Sequence, residues 1–404
     1  MTQSPRTPPS VALVGIHGHG TSHLRTLLAM QATGEARIAA LVDPAPPTAP
    51  PRLDGHTQRV APEHDLSSLP WYPDLADLLA RAPAPDVVIV CTPIHTHAAV
   101  TAQALRAGSD VLLEKPPTGS LTELTELLAV VQETGRSVQV GFQTFGSAAL
   151  PALHRIVASG EIGEVTGIGG VGTWVRPRSY WTRSAWTGRR TLAGRPVVDG
   201  VVTNPLAHAV ATALHLAGAR TVHDVTRVEL DQYRANDIEV DDTSAVRITT
   251  STGVVVSLGL TLCAATHSVP TITIQGTLGQ ASLDYYTDTV EVTTAAGSRT
   301  FTSPRTHLLT DLLSHRVDRT SPLLSPLEGT GAFQRVLDAV RTAPDPTPVP
   351  AEHVREVTDD LGTHLVVDDV EDWCTRVATE HATFAELGAP WARTRTARPT
   401  GASR

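Results

Sequence analysis

The sequence predicts an α/β chain of two domains: a doubly wound parallel sheet, then an α+β domain on a mainly antiparallel sheet. Three observations carry this. Strand and helix patterns alternate over residues 11–145. The β-branched run Asp86–Cys91 has the flat periodicity of a strand buried on both faces. After about residue 150, period-two strands with turn signals replace the alternation.

The elements follow in order. Residues 1–10 are a polar, Pro-containing tail. Strand Val11–Val14 runs into Gly15-Ile16-His17-Gly18-His19-Gly20 and a helical stretch, His23–Thr33. Strand Arg37–Val42 ends at Asp43, and residues 44–62, with six prolines, read as a long loop. Helix Pro73–Ala82 precedes strand Asp86–Cys91, and helix Thr96–Gly108 follows it. Next come strand Asp110–Leu113, the segment Glu114-Lys115-Pro116-Pro117, helix Leu121–Thr134 and strand Ser137–Val140, closing a first domain at 11–145. Pro151–Ser159 is one more helix. Thr243–Thr250, a Ser251-Thr252-Gly253 turn and Val254–Leu262 form a hairpin, which Thr271–Gln275, Gln280–Tyr285 and Thr289–Thr294 continue. Helices near 205–217, 307–317 and 327–341 complete a second domain at 146–387, and the Arg/Thr/Pro-rich tail 388–404 is expected to fray.

Composition narrows the class. A length of 404 residues fits two domains, and 41% hydrophobic with 18% charged residues is a globular balance. The net charge of −9 argues against a general nucleic-acid binder, which needs a basic surface. Cys91, Cys263 and Cys374 are scattered and odd in number, as in a reducing compartment without a disulfide framework. No apolar run reaches membrane-spanning length, and the N-terminus lacks a signal peptide's apolar core. The expectation is a cytoplasmic protein. Of 32 basic residues, Lys115 is the only lysine. Arginine keeps its proton at any usable pH, whereas a buried lysine can lose it, so Lys115 is a candidate for chemistry only an amine can do.

Gly15-x-x-Gly18-x-Gly20 lies between a strand and a helix. There, backbone amides and the helix start can hold the pyrophosphate of a dinucleotide. His17 stands where the usual spacing puts the second glycine. Asp43, at the end of the second strand, is placed to accept from the ribose hydroxyls and to repel a 2′-phosphate, which favours NAD over NADP. The plainer alternative is a tight turn with a capping aspartate. His17, His19 and His23 are not read as metal ligands, because no Cys or carboxylate sits among them in sequence.

Three further segments point the same way: Cys91-Thr92-Pro93-Ile94-His95-Thr96-His97, with the helix ending Ala104-Leu105-Arg106-Ala107-Gly108; Leu113-Glu114-Lys115-Pro116; and Val140-Gly141-Phe142-Gln143, with Ile156–Gly163 after it. Together they resemble the Gfo/Idh/MocA oxidoreductases, closely over residues 11–165 and by pattern beyond. The resemblance implies a Rossmann domain, a C-terminal α+β domain with an open sheet, a nicotinamide cofactor, and sugar or cyclitol substrates. It adds Thr92, Pro93, His97, Glu114, Lys115 and Gln143 to the cofactor set of Gly15, His17, Gly18, His19, Gly20 and Asp43, with His97 supporting the cofactor loop. The family's D-x-x-x-H maps to Asn204 and His208, with Asn in place of Asp, so a relay through that carboxylate is in doubt. Asp199, five residues earlier, is the alternative carboxylate for that role and is left out of the site set. Spacing i, i+4 would put Asn204 and His208 on one helix face. His208 is assigned as acid/base, with Lys115 as polariser and positioner; Lys115 as the base is the alternative.

Residues 165–198 hold Arg176, Arg178, Arg183, Arg189, Arg190 and Arg195 and no acidic residue. They also hold Trp174, Tyr180, Trp181 and Trp186. Aromatic faces pack on sugar C–H faces and Arg binds anions bidentately, so Trp174, Arg176, Arg178, Tyr180 and Trp181 join Lys115, Asn204 and His208 as substrate candidates for an anionic sugar. The alternatives are a surface loop paired with acids elsewhere and a subunit contact. The leading function is NAD-dependent oxidation of a sugar or cyclitol hydroxyl. A second is a redox-neutral NAD-dependent glycosidase acting on an anionic glycoside; a third is a non-catalytic sensor. Apolar residues on both faces of Val254–Leu262 point to a homodimer or homotetramer through the second sheet.

Overall fold

The computed structural model describes residues 7–47 and 66–392. Most of the Pro-rich stretch at 44–62, and the outer parts of both tails, lie outside the described residues.

The first half contains β1 (Ser10–Val14), α1 (Gly20–Thr33), β2 (Arg37–Val42), β3 (Trp71–Tyr72), α2 (Leu75–Arg81), β4 (Val87–Val90), α3 (His97–Arg106), β5 (Asp110–Leu113), α4 (Leu121–Thr134) and β6 (Val138–Val140). The six strands are parallel, in the order β3-β2-β1-β4-β5-β6. The order reverses between β1 and β4, which opens a crevice at the carboxyl ends of the strands. Every residue of β4 and β5 is buried, as the flat apolar periodicity predicts. Local signals set the helix ends. Ser120 Oγ accepts from Glu123 N at 3.3 Å to start α4, and Gly135 ends it at φ +62°.

The second half contains α5 (Ala149–Ala158), β7 (Val165–Thr173), α6 (Arg178–Trp181), β8 (Thr191–Leu192), β9 (Arg195–Pro196), α7 (Ala207–Leu216), β10 (Val225–Arg234), β11 (Thr243–Thr250), β12 (Val255–Thr261), β13 (Thr271–Gly276), β14 (Gly279–Asp284), β15 (Thr289–Thr294) and β16 (Gly297–Thr302). After these come α8 (Leu308–Val317), α9 (Gly331–Thr342), β17 (Thr347–Pro348), β18 (Val354–Asp359), β19 (Gly362–Val367), α10 (Val370–Glu380) and α11 (Phe384–Leu387). Nine strands form one sheet in the order β16-β15-β14-β13-β7-β12-β11-β10-β17. It is mainly antiparallel, with parallel pairs at β7–β12 and β10–β17. Its central strand, β7, carries four glycines, which masks it from any reading by β propensity.

Three expectations are corrected. First, α8 belongs by packing to the first sheet: Leu308, Leu309 and Leu312 share a core with Val11, Leu13, Ile89 and Leu112. Arg316 pairs with Asp86 and Asp110, and Arg319 with Asp110, so the first domain is completed by a segment far along the chain. Second, the second face of β12 is covered by the chain itself. A Cβ on Gly259 would lie 2.3 Å from Cys374 O, and one on Gly169 would lie 2.4 Å from Ala378 O. The glycines let α10 seat its backbone against β7 and β12, and this removes the apolar-face argument for a subunit contact there. Third, the start of the C-terminal tail is core: Trp391 is buried and packs on Tyr233 and Phe384. The three cysteines are free thiols. Among the described residues, no helix is long and apolar enough to cross a membrane.

Candidate active site at the carboxyl ends of the first sheet

The glycine-rich turn leaves β1 and enters α1. Gly15 sits at φ +87°, and a Cβ there would lie 2.2 Å from Cys91 O. A Cβ on Gly20 would lie 2.0 Å from Gly15 O. Gly18, at φ +57°, supplies the left-handed residue the altered spacing requires. Asp43 reaches this turn from the end of β2, its Oδ2 accepting from Ile16 N at 3.1 Å and its Oδ1 from Ala45 N at 3.0 Å. His17 Nε2 is buried without a hydrogen-bond partner among the described residues, 3.7 Å from Asp43 Oδ1. The backbone amides of His17 and Gly18 have no acceptor there either. An acidic group, a tight turn and unsatisfied donors fit the ribose and pyrophosphate of a dinucleotide.

The loops after β4 and β5 are tied together by His97. Its buried ring bridges Thr92 O, 2.7 Å from Nε2, and Pro116 O, 2.8 Å from Nδ1. Burial lowers its pKa, against the two carbonyls that favour the charged ring. The ring ties the loop after β4 to the loop after β5. Thr92 Oγ1 bonds Thr96 Oγ1 at 2.6 Å, and Pro93 opens the short turn into α3. Gln143 begins the turn after β6, half-buried.

Glu114 is buried, with Oε1 2.8 Å from His23 Nε2 and 3.5 Å from His19 Nε2. Burial works against its charge, yet the charge and hydrogen bonds of His19 and His23 hold the carboxyl well below the usual carboxylate range. The three ligand atoms lie within 4.8 Å of one another. A carboxylate therefore does join these histidines, contrary to the sequence-based reason for setting a metal aside; the His23–Glu114 separation is that of a hydrogen bond.

Lys115 turns the other way. Its Nζ donates to Asn204 Oδ1 and to Asn204 O, each at 2.8 Å. Asn204 Nδ2 donates to Asp199 Oδ1 at 2.5 Å. Asp199 Oδ2 accepts from Gly188 N at 2.9 Å and lies 3.8 Å from an Arg183 guanidinium nitrogen. Burial lowers the Lys115 pKa and raises that of Asp199. Asn204 stands in the turn before α7 and not on the helix, so it and His208 do not share a helix face as expected. His208 packs edge-on to Phe142, and its Nδ1 is buried without a partner among the described residues. Burial, with the charge of Lys115, pushes its pKa down to about 3, so the ring is neutral at ordinary pH.

The arginine segment divides. Arg178 pairs with Glu356 on the surface and leaves the candidate substrate set. Arg189 bonds Glu239 at 2.5 Å, and Arg190 bonds Ala343 O and Pro344 O. Arg176 and Arg183 stay inside. The Arg176 guanidinium lies 4.5 Å from the Trp174 ring centre and 5.0 Å from that of Tyr180, and Arg183 lies 3.6 Å from Tyr180. Trp181 meets Tyr180 edge-on at 5.0 Å. Arg176 is buried, and among the described residues no carboxylate pairs with it and its Nε has no partner.

A family model described as an oxidoreductase family with an NAD-binding Rossmann fold matches residues 10–142, and the GFO/IDH/MocA C-terminal domain matches 151–282. The chain belongs to the GFO/IDH/MocA family. Its first domain is thus an NAD-binding Rossmann domain. A scyllo-inositol 2-dehydrogenase (NAD(+)) of Bacillus subtilis is 31% identical over 153 residues, 38% of this chain and 41% of the relative. A dTDP-3,4-didehydro-2,6-dideoxy-α-D-glucose 3-reductase of Streptomyces violaceoruber is 32% identical over 144 residues, 35% of this chain and 41% of the relative. The matches span about two fifths of these curated relatives. The WlbA dehydrogenase of Bordetella pertussis, solved with NADH and UDP-GlcNAcA, superposes with a TM-score of 0.64 at 19% identity, covering 82% of this chain and 95% of that one. That likeness shows a shared fold.

Sequence reasoning leaves Asp199 as an alternative and Arg183 outside the site set; the structure joins both to Lys115, Asp199 through Asn204 and Arg183 through Asp199. A signal was present. Asp199 is the first acidic residue after the long acid-free arginine segment.

Proposed function

We propose that the protein is an NAD-dependent oxidoreductase that takes a hydride from a hydroxyl-bearing carbon of a sugar or cyclitol carrying an anionic group. The observation that carries this is the Lys115–Asn204 contact, made where a second-domain turn meets the carboxyl end of a Rossmann strand. NAD, when bound, supplies the hydride acceptor. Gly15, His17, Gly18, His19, Gly20, Asp43, Thr92, Pro93, His97, Glu114, Lys115 and Gln143 remain the candidates for holding it. Two N–H groups of the Lys115 amine are taken by Asn204, which leaves one tetrahedral position for the substrate oxygen. In the neutral amine that position is the lone pair. The substrate O–H breaks, its proton forms the third N–H bond, and the carbinol becomes a carbonyl as hydride leaves. This favours Lys115 as proton acceptor, reversing the sequence-based roles. A ring with a pKa of about 3 is a weak base, and His208 is assigned to hydrogen-bonding the substrate.

The anionic group is assigned to Arg176, a buried guanidinium without a carboxylate partner among the described residues, stacked on Trp174 and Tyr180. Its test is a panel of neutral sugars, cyclitols, uronic acids, and sulfonated and aryl glycosides with purified protein and NAD. Steady NADH growth with an acidic sugar is expected. Arg176→Gln is expected to lower kcat/KM for it roughly 10- to 100-fold while sparing the neutral analogue. Equal affinity for acid and neutral analogue would remove the role of Arg176. Aglycone release without net NADH would move the function to a redox-neutral glycosidase.

A further inference from the structure

We propose that Asp199 is a positioning residue for Lys115, acting through the Asn204 amide to aim the amine at the substrate oxygen. The contacts fix the amide's orientation. Its Oδ1 must face the Lys115 donor and its Nδ2 must face the Asp199 acceptor, so a flipped amide would lose both bonds. Asp199 is itself held by Gly188 N on its other oxygen, and it is buried. The rigid end of the chain is therefore the carboxylate, and the adjustable end is the lysine side chain. Without Asp199 the amide is free to rotate, and Nζ keeps only the peptide oxygen of Asn204.

The arrangement also sets the charge on the amine. The carboxylate stands one amide away from Nζ, near enough to favour the ammonium by Coulomb attraction but not in contact with it. Arg183, 3.8 Å from Asp199, offsets that attraction. The line of groups is amine, amide, carboxylate, guanidinium. Glu114, the larger influence, and Cys91 also favour the ammonium and stay in place, so removing the Asp199 carboxylate takes away one of its supports and Lys115 should release its proton at lower pH. Removing the guanidinium does the reverse.

Lys115 is the only lysine of the chain. Carbon-13-labelled lysine therefore gives a single side-chain resonance, and its pH titration reads this amine directly, without a substrate. In Asp199→Asn the midpoint is expected to fall by about one pH unit or more, and in Arg183→Gln to rise. NAD affinity, read by tryptophan quenching, checks that both variants are folded. If Asp199→Asn does not fold, Arg183→Gln alone decides. An unchanged midpoint in the folded variants overturns the proposal and leaves Asp199 a packing residue. The purpose of the amine rests on the oxidoreductase reading, but the titration does not. Shifted midpoints with no sugar oxidised would sink that reading and leave this one standing. Once a substrate is found, the acid limb of its kcat/KM profile should move with the titration.

Discussion

Glu114 and Lys115 are neighbours in the chain, yet different halves of the molecule hold them. The carboxylate turns into the first domain, where His19 and His23 of the turn and helix after β1 keep it charged. The amine turns into the second, where Asn204 takes it. One side is local: its partners belong to the domain that carries Glu114, and its charge is satisfied within it. The other side forms only when the two domains meet. The difference predicts a loss of stability when the first set of partners is broken and a loss of turnover when the second is.

The comparison is sharpest at Lys115. Lys115→Ala is expected to lower turnover by roughly 10²–10⁴, in a chain that still folds. Lys115→Arg should fail as well, since the guanidinium keeps its proton and its planar fork does not fit the two Asn204 oxygens. Turnover within tenfold of the parent would break the comparison. On the other side, His23→Ala leaves a buried carboxylate short of a partner and is expected to cost about 3 kcal/mol, seen as a lowered Tm. An unchanged Tm there would show that His19 and the Lys115 backbone N–H suffice to hold Glu114.

The last effect is in pH. Glu114 titrates lower in the folded protein than in the unfolded chain, so its stabilising contribution is present above the usual carboxylate range. It is lost as pH falls through the folded value. His208 and His215 act earlier. Both are held near a pKa of about 3 by burial, while the unfolded chain takes up these protons from about pH 6.5 downward. Stability should therefore start to fall on acidification below about pH 6.5. His215→Gln, in Tm measured across that range, should flatten the fall without touching turnover. A profile equally steep in the variant would count against it.

The first domain was open to sequence reasoning because each signal there is local. β2, β5 and α4 lie where the apolar periodicity puts them, and Gly15, Gly18 and Gly20 carry the turn. The second domain hides its signals in contacts. Gly169 of β7 leaves room for the α10 backbone and Gly167 for His381 just after it, and that is invisible until α10 is in place. Arg176 and Arg178 look alike as a charge run, and only folding sends one inward and the other to Glu356. Asp199 acquires meaning through Asn204, whose own role depends on a lysine from the other domain.

The late helices have a consequence for synthesis. A ribosome releases β1 to β6 long before α8, and β7 and β12 long before α10. Until α8 arrives, Val11, Leu13, Ile89 and Leu112 of the first sheet lack part of their cover. A nascent chain or fragment ending just after β6 is therefore expected to be sticky, binding an apolar dye and chaperones where the full chain does not. The strands of the first sheet all lie before residue 141, but that sheet becomes watertight only after most of the second has been made.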